Sequence, residues 1–270
     1  MCVILFAIGA HPGFPLIVAA NRDEAYTRPA APAAFWQDHP KICAGRDLLQ
    51  GGTWLGITSD GRFAALTNYR QLPRMGPGPR SRGELTLDYL RGSEDAAGYL
   101  SRVSAHDAEY NGYSLIAGTP DQLCFYSNRD PGVTTISAGV HGLSNRLLND
   151  PWPKVQQGVA VLRSLQNAEE AQLTLSLFAL LADSTPAPDH LLPSTGIALE
   201  RERDRSALFI PGDTYGTRAS TVVLVAANGD VLFSERRFGP KGAPLGAIEQ
   251  RFHIQNTRPR LATPRASDRA

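Results

Sequence analysis

The sequence predicts an α+β fold in which antiparallel sheets stack on one another and helices lie outside them. Three observations predict it. Strand-length apolar segments come in pairs around tight-turn signals. Segments with helical spacing are gathered in the middle of the chain instead of alternating with strands. No GxGxxG or Walker loop follows a strand, which argues against a parallel doubly wound sheet. At 270 residues and 42% apolar composition, the chain suits one large core. A single domain is expected over 1–255, with a disordered basic tail over 256–270.

Residues 3–8 are a compact apolar run. His11-Pro12-Gly13 is a turn signal, and residues 15–20 form a second run ending in Asn21-Arg22-Asp23-Glu24. A hairpin of these two strands returns residues 21–24 towards the chain start. Residues 54–58 and 62–68 form a second hairpin around Ser59-Asp60-Gly61. Residues 70–82 are rich in Pro, Gly and Arg and read as a loop, a candidate lid over a pocket. Helical spacing follows at 83–90 and 93–103. A third hairpin spans 113–117 and 122–127, and a further strand covers 133–138, leading to Gly142-Leu143-Ser144-Asn145. Helices are expected over 153–165 and 168–181, with Glu169-Glu170 favourable at the second N-terminus. Residues 183–196 read as a loop. A last hairpin, 220–226 with 231–237, turns at Asn228-Gly229-Asp230.

A net charge of +1 gives no electrostatic footprint for nucleic acid. Three cysteines give no disulfide framework, and six scattered histidines fall at no zinc-ligand spacing. No metal site is expected, and a reducing, cytoplasmic setting is the better fit. No apolar run reaches the ~18 residues of a membrane span.

The chemistry centres on Cys2. Removal of Met1, which a small second side chain permits, would leave a thiol and a free α-amine on one residue. Free values near ~8.5 and ~7.7–8.0 match the pair for proton exchange at neutral pH. Position alone also fits a small apolar residue opening a strand. Strand alternation puts Asn21 and Asp23 on one face, Arg22 and Glu24 on the other. Asp23 is placed to hold the Cys2 ammonium, and Arg22 to pair with a carboxylate or lower the thiol pKa. A solvated strand end is the plain alternative for this cluster. Asn68 closes an apolar strand and can donate to an oxyanion; Asn145 has the same capacity, and turn chemistry explains either. Arg218 precedes a very apolar strand, where it can fix a carboxylate or form a surface ion pair. His141, four residues before Asn145, can reach a pocket or serve structurally.

Five segments in order, MCVILFAI, AANRDEAYTRPA, GGTWLGITSDGRFAALTNYR, HGLSNRLLNDPWPKV and YGTRASTVVLV, resemble the NRDE family. This is the transport-and-Golgi-organisation family named for its Asn-Arg-Asp-Glu motif. The resemblance covers about 1–237 and implies an N-terminal-nucleophile fold, a four-layer αββα sandwich. It implies kinship with choloylglycine hydrolases and penicillin acylases. By that resemblance Cys2 is the nucleophile, Asp23 its orienter, Asn68 and Asn145 oxyanion or substrate contacts, and Arg218 part of the site's electrostatics. Asn21, Arg22, Glu24 and His141 are candidate substrate contacts. The implied activity is hydrolysis of a non-peptide linear amide without a cofactor. The other implied role is non-catalytic carriage of haem or an acyl-lipid or acyl-coenzyme A ligand. One departure stands out. Aligning Asp23 with the hydrolase aspartate puts Ala20 where their arginine stands, and alternation aims Arg22, the nearest replacement, at the face opposite Asp23.

Overall fold

The computed structural model describes residues 2–70 and 79–255. Strands β1 (Cys2–Ile8), β2 (Leu16–Ala25), β3 (Ala30–Phe35), β4 (Ile42–Asp47), β5 (Leu55–Thr58) and β6 (Phe63–Asn68) come first. Helices α1 (Gly83–Arg91) and α2 (Ala96–Ser104) follow. Strands β7 (Tyr113–Thr119), β8 (Gln122–Ser127), β9 (Asp130–Thr135) and β10 (Gly139–Leu143) lead to helices α3 (Pro153–Ser164), α4 (Glu170–Leu181) and the short α5 (Leu199–Asp204). Strands β11 (Tyr215–Val225), β12 (Asp230–Phe238) and β13 (Pro244–His253) complete the order.

The strands form two antiparallel sheets, β10-β1-β2-β11-β12-β13 and β3-β4-β5-β6-β7-β8-β9. Three apolar clusters fix the layering. Ile4, Phe6, Val18 and Val223 of the first sheet meet Ile57, Phe63 and Ile116 of the second. Alternate residues of the first sheet, such as Val3, Leu5 and Ile17, pack under Leu162 of α3 and Leu173 and Leu177 of α4. The far face of the second sheet packs under Leu85 and Tyr89 of α1 and Leu100 of α2. The order is therefore helix, sheet, sheet, helix, as expected. Because β1 is covered on both faces, it reads as an unbroken apolar run instead of an alternating one. Each fully buried Leu, Ile or Phe contributes about 1.5–3 kcal/mol of transfer free energy.

Several elements differ from expectation. β2 runs through Asn21–Ala25 instead of ending before it, so the polar motif lies within a strand. β11 likewise starts five residues earlier than expected, at Tyr215. β3, β4, β10, β13 and α5 were not anticipated. β3 is alanine-rich and contains Pro32, and β13 is a mostly exposed edge strand with little apolar pattern. Expected residues 133–138 fall partly on β9, which begins at Asp130. Most of the candidate lid, 71–78, and the expected disordered tail, 256–270, lie outside the described residues. Among the described residues, no helix is long and apolar enough to cross a membrane. Cys2, Cys43 and Cys124 are all free thiols.

Candidate active site

A cavity of about 340 Å³ opens where the core between the sheets ends, and Cys2 lies in its wall. The register explains which side chains join it. Cys2 pairs with Arg22, Arg22 with Ala219, and Ala219 with Arg237. Directly paired residues point to one face, so this row runs from β1 through β2 and β11 to β12 on the cavity side. Arg22 therefore faces the same way as Cys2. Ala20 pairs with Ile4 one row deeper in the core. The alternation reading was right that Arg22 opposes Asp23; it is Arg22 that shares the thiol's face.

Asp23 reaches the site by another route. β1 begins at Cys2, so Asp23 lies beyond the last β1 pair and is among the residues lining the cavity, although it is only 3% exposed. Its Oδ1 accepts a 2.7 Å hydrogen bond from Thr217 Oγ1. Burial raises the Asp23 pKa, while the Lys154 charge and the Thr217 bond pull it down. Burial likewise raises the Cys2 thiol, with Arg22 opposing the shift.

Asn145 sits in the left-handed region at φ 53°, a conformation asparagine tolerates. Its Oδ1 accepts the Cys2 backbone N–H at 3.3 Å, and its Nδ2 donates to the Asn68 carbonyl at 2.8 Å. Ser144 Oγ donates to the Cys2 carbonyl at 3.0 Å. Both ends of the Asn145 carboxamide are thus engaged in holding Cys2 against β6. It contacts the Cys2 backbone and β6 and is not among the residues lining the cavity. Asn68 is exposed and lines the cavity with Leu66 of the same strand.

Arg218 is the extra residue of a β-bulge between Thr217 and Ala219. Bulges redirect a side chain, and Arg218 lines the cavity while its Nη1 donates to the Ala25 and Arg28 carbonyls at 2.9 and 2.7 Å. Glu24 also lines the cavity, 3.8 Å from Arg22 and 4.0 Å from Arg28.

Two expected contacts lie elsewhere. Asn21 pairs with Val3 and so faces the helices. There it donates to the Leu181 and Leu208 carbonyls at 2.8 and 2.9 Å and accepts from Ser220 Oγ at 2.6 Å. It is a buried strut. His141 pairs with Phe6 and stacks on its ring with centroids 5.3 Å apart. Its Nδ1 meets Asn149 Nδ2 at 3.0 Å and its Nε2 the Ser137 carbonyl at 2.9 Å. With the amide donating to Nδ1, the Nε2–H donates to Ser137, and both ring nitrogens are used within the fold.

Several cations near the site were not singled out in the sequence, among them Arg82 and Lys154. Arg82, just before α1, lines the cavity and donates to the Gly112 carbonyl at 3.0 Å. Burial lowers its pKa, while Cys2 and Glu24 raise it. Lys154 of α3 is 2% exposed and donates to the Arg205 carbonyl at 3.2 Å. Burial lowers its pKa and the Asp23 charge raises it. The only sequence signal for Lys154 is its place at the end of the segment HGLSNRLLNDPWPK.

The family model for Transport and Golgi organisation 2 matches residues 1–240. The chain belongs to that family. It is 40% identical to the Transport and Golgi organization protein 2 homolog of Bos taurus, over 87% of this chain and 92% of that one. It is 37% identical to the Homo sapiens homolog, with the same coverage. The Drosophila melanogaster Transport and Golgi organization protein 2 is 29% identical, over 87% and 91%. Among solved structures, a Caenorhabditis elegans N-acylethanolamine-hydrolyzing acid amidase ortholog is similar with TM-score 0.48 and 14% identity, covering 83% of this chain and 92% of that one. The C2A mutant of conjugated bile acid hydrolase from Clostridium perfringens gives TM-score 0.46 and 7% identity, over 94% and 92%.

Gly216 lets β11 pack closely beside the site. A Cβ at Gly216 would stand 2.3 Å from the Ile210 carbonyl oxygen and 3.0 Å from the Gly212 nitrogen. Those are backbone atoms and cannot swing aside. Gly216→Ala is expected to destabilise by about 1–3 kcal/mol, as overpacking does, and to displace the adjacent Thr217 from Asp23. Thermal melts of the variant check the first effect. An unchanged melting temperature would contradict it.

Proposed function

We propose that the protein is a cysteine N-terminal-nucleophile hydrolase acting on a non-peptide linear amide, with Cys2 as nucleophile. The observation that carries this reading is the Cys2 backbone nitrogen held 3.3 Å from Asn145 Oδ1 while the residue lines a cavity. After removal of Met1 that nitrogen is the α-amine, and Asn145 keeps it beside its own thiol. The amine takes the thiol proton, and Sγ attacks the carbonyl carbon to form a C–S bond. The Asn68 side chain and a backbone N–H receive the oxyanion. The protonated amine gives its proton to the leaving nitrogen as the C–N bond breaks. Water then hydrolyses the thioester and restores the thiol.

Asp23 serves as the anionic partner of the ammonium. Burial raises its pKa above the ordinary 3.8, so activity falls with decreasing pH at a higher point than a free carboxylate would give. The free thiols support a cytoplasmic setting.

The test joins intact mass to turnover. Protein beginning at Cys2 is expected to release amine from a panel of N-acyl amines. Full activity in a preparation that retains Met1 would overturn the mechanism, and no turnover across the panel by correctly trimmed protein would overturn the activity.

The arginine-rich lining of the cavity favours one second reading, carriage of haem or an acyl-lipid or acyl-coenzyme A ligand without turnover. Titration with haem and with acyl-coenzyme A then gives saturable one-to-one binding; the absence of both removes this reading.

A further inference from the structure

The cavity wall holds seven arginines against four carboxylates, Asp23, Glu24, Asp47 and Glu235. Arg28 is bound to Asp47 at 2.6 Å, and Arg46 and Arg80 pair with acids outside the wall. Arg82, Arg218 and Arg237 instead donate to backbone carbonyls. Arg22 has only the loose 3.8 Å approach to Glu24. Arg237 also keeps a buried Nε with no hydrogen-bond partner among the described residues. The acid one row deeper, Glu235, spends Oε1 on the Ala33 N–H at 2.9 Å. Gathering this many guanidiniums in one partly desolvated wall is unfavourable unless an anion joins them.

The register gives the surplus a direction. Cys2, Arg22, Ala219 and Arg237 follow one another across β1, β2, β11 and β12. Ala219 carries only a methyl group, so the floor between the two arginines is low. Three strand intervals separate the thiol strand from Arg237, roughly 14 Å between Cα atoms at about 4.8 Å per interval.

We propose that the ligand of this cavity carries an anionic group, a carboxylate or a phosphate, seated between Arg22 and Arg237 above Ala219, with its reacting carbonyl at Cys2. The proposal rests on the reading that Cys2 is the reactive end of the cavity. It adds a polarity to the ligand: a carbonyl at one end and an anion about 8–11 Å away, over Ala219, which lies two strand intervals from Cys2.

Thiol alkylation tests this without requiring turnover. The reagents are haloacetyl amides of ω-amino acids of increasing length, the matching ω-aminoalkyl phosphates, and the neutral methyl esters of the acids. In each, Sγ displaces halide and a C–S bond forms at Cys2; peptide mass spectrometry separates Cys2 from the buried Cys43 and Cys124. Anionic reagents of about nine bonds between sulfur and headgroup carbon are expected to label Cys2 at least about tenfold faster than their neutral esters. Shorter anionic reagents lose that advantage. Arg237→Gln is expected to reduce the ratio below about twofold, while Arg163→Gln on the exposed side of α3 leaves it unchanged. A faster carboxylate or a faster phosphate supports the proposal and assigns the headgroup.

Equal rates for charged and neutral reagents would overturn it, as would a ratio indifferent to length or to Arg237→Gln. The length series uses the unaltered protein and needs no variant to fold. A chain that shows the preference but cleaves no amide keeps this inference and loses the hydrolase reading. A chain that cleaves amides but labels without preference does the reverse.

Discussion

Cys2→Ala is expected to lower amide hydrolysis by at least about 10³-fold while leaving the fold intact. In the proposed mechanism the thiol sulfur forms the covalent bond, and a nucleophile acts as a unit with its base, so its removal is not made good by the remaining groups. The stability cost is small because Cys2 is only half-buried and opens β1 at its end. A change within about 1 kcal/mol is expected, as for substitutions outside the packed core. Steady-state rates and a thermal melt of the same preparation check both halves. An undiminished rate would remove Cys2 from the chemistry. A collapsed melt would mean that the residue is chiefly structural.

The largest effect on stability is expected at Glu202→Ala. Glu202 is 4% exposed and receives Arg70, whose own side chain is 10% exposed. The other carboxylate oxygen accepts the Thr195 N–H at 3.2 Å and the Thr195 hydroxyl. Arg70 also lies over the Trp152 ring, 5.0 Å from its centroid, and its N–H donates to the Asn145 carbonyl at 2.7 Å. Deleting the carboxylate leaves a buried guanidinium without its counter-charge, which typically costs about 3–5 kcal/mol. Replacing both partners with apolar residues of similar volume is expected to cost far less, because the uncompensated charge is gone. Denaturant titration of Glu202→Ala beside Arg70→Met/Glu202→Leu measures the difference. Equal losses in the two would contradict the charge-burial account. The single variant should also weaken the site, since Arg70 follows the β6 end that Asn145 ties to Cys2.

Much of the fold was legible because its signals are local. Asn228-Gly229-Asp230 and Ser59-Asp60-Gly61 sit at turns between apolar runs, and hairpins formed there. β13 gave little signal because an exposed edge strand needs no apolar alternation. The site was legible in part. Strand parity correctly grouped Asn21 with Asp23 and Arg22 with Glu24, but parity does not say which face the neighbouring strand shares. That is set by the register Cys2↔Arg22, which depends on the 9–15 turn closed by the Gly9 N–H on the Pro15 carbonyl. Asn21 therefore went to the helices, and Asp23 returned only because β1 ends beside it. His141 was consumed by Asn149 and Ser137, eight and four residues away along the chain, through a loop geometry that no periodicity signals. Arg82 closes the segment expected to lie over a pocket, but Lys154 was invisible for a general reason: a cation in sequence looks like surface, and only tertiary packing reveals that it is buried.

The bond between Cys2 and Asn145 spans 143 positions, and the Thr217–Asp23 bond spans 194. The setting of Cys2 therefore depends on residues from the middle of the chain and from β11, far from the first strand in sequence. Contacts of such separation cost loop-closure entropy and are expected to form late in folding. Under the proposed mechanism, the thiol would gain its oriented surroundings only once β11 has joined β2.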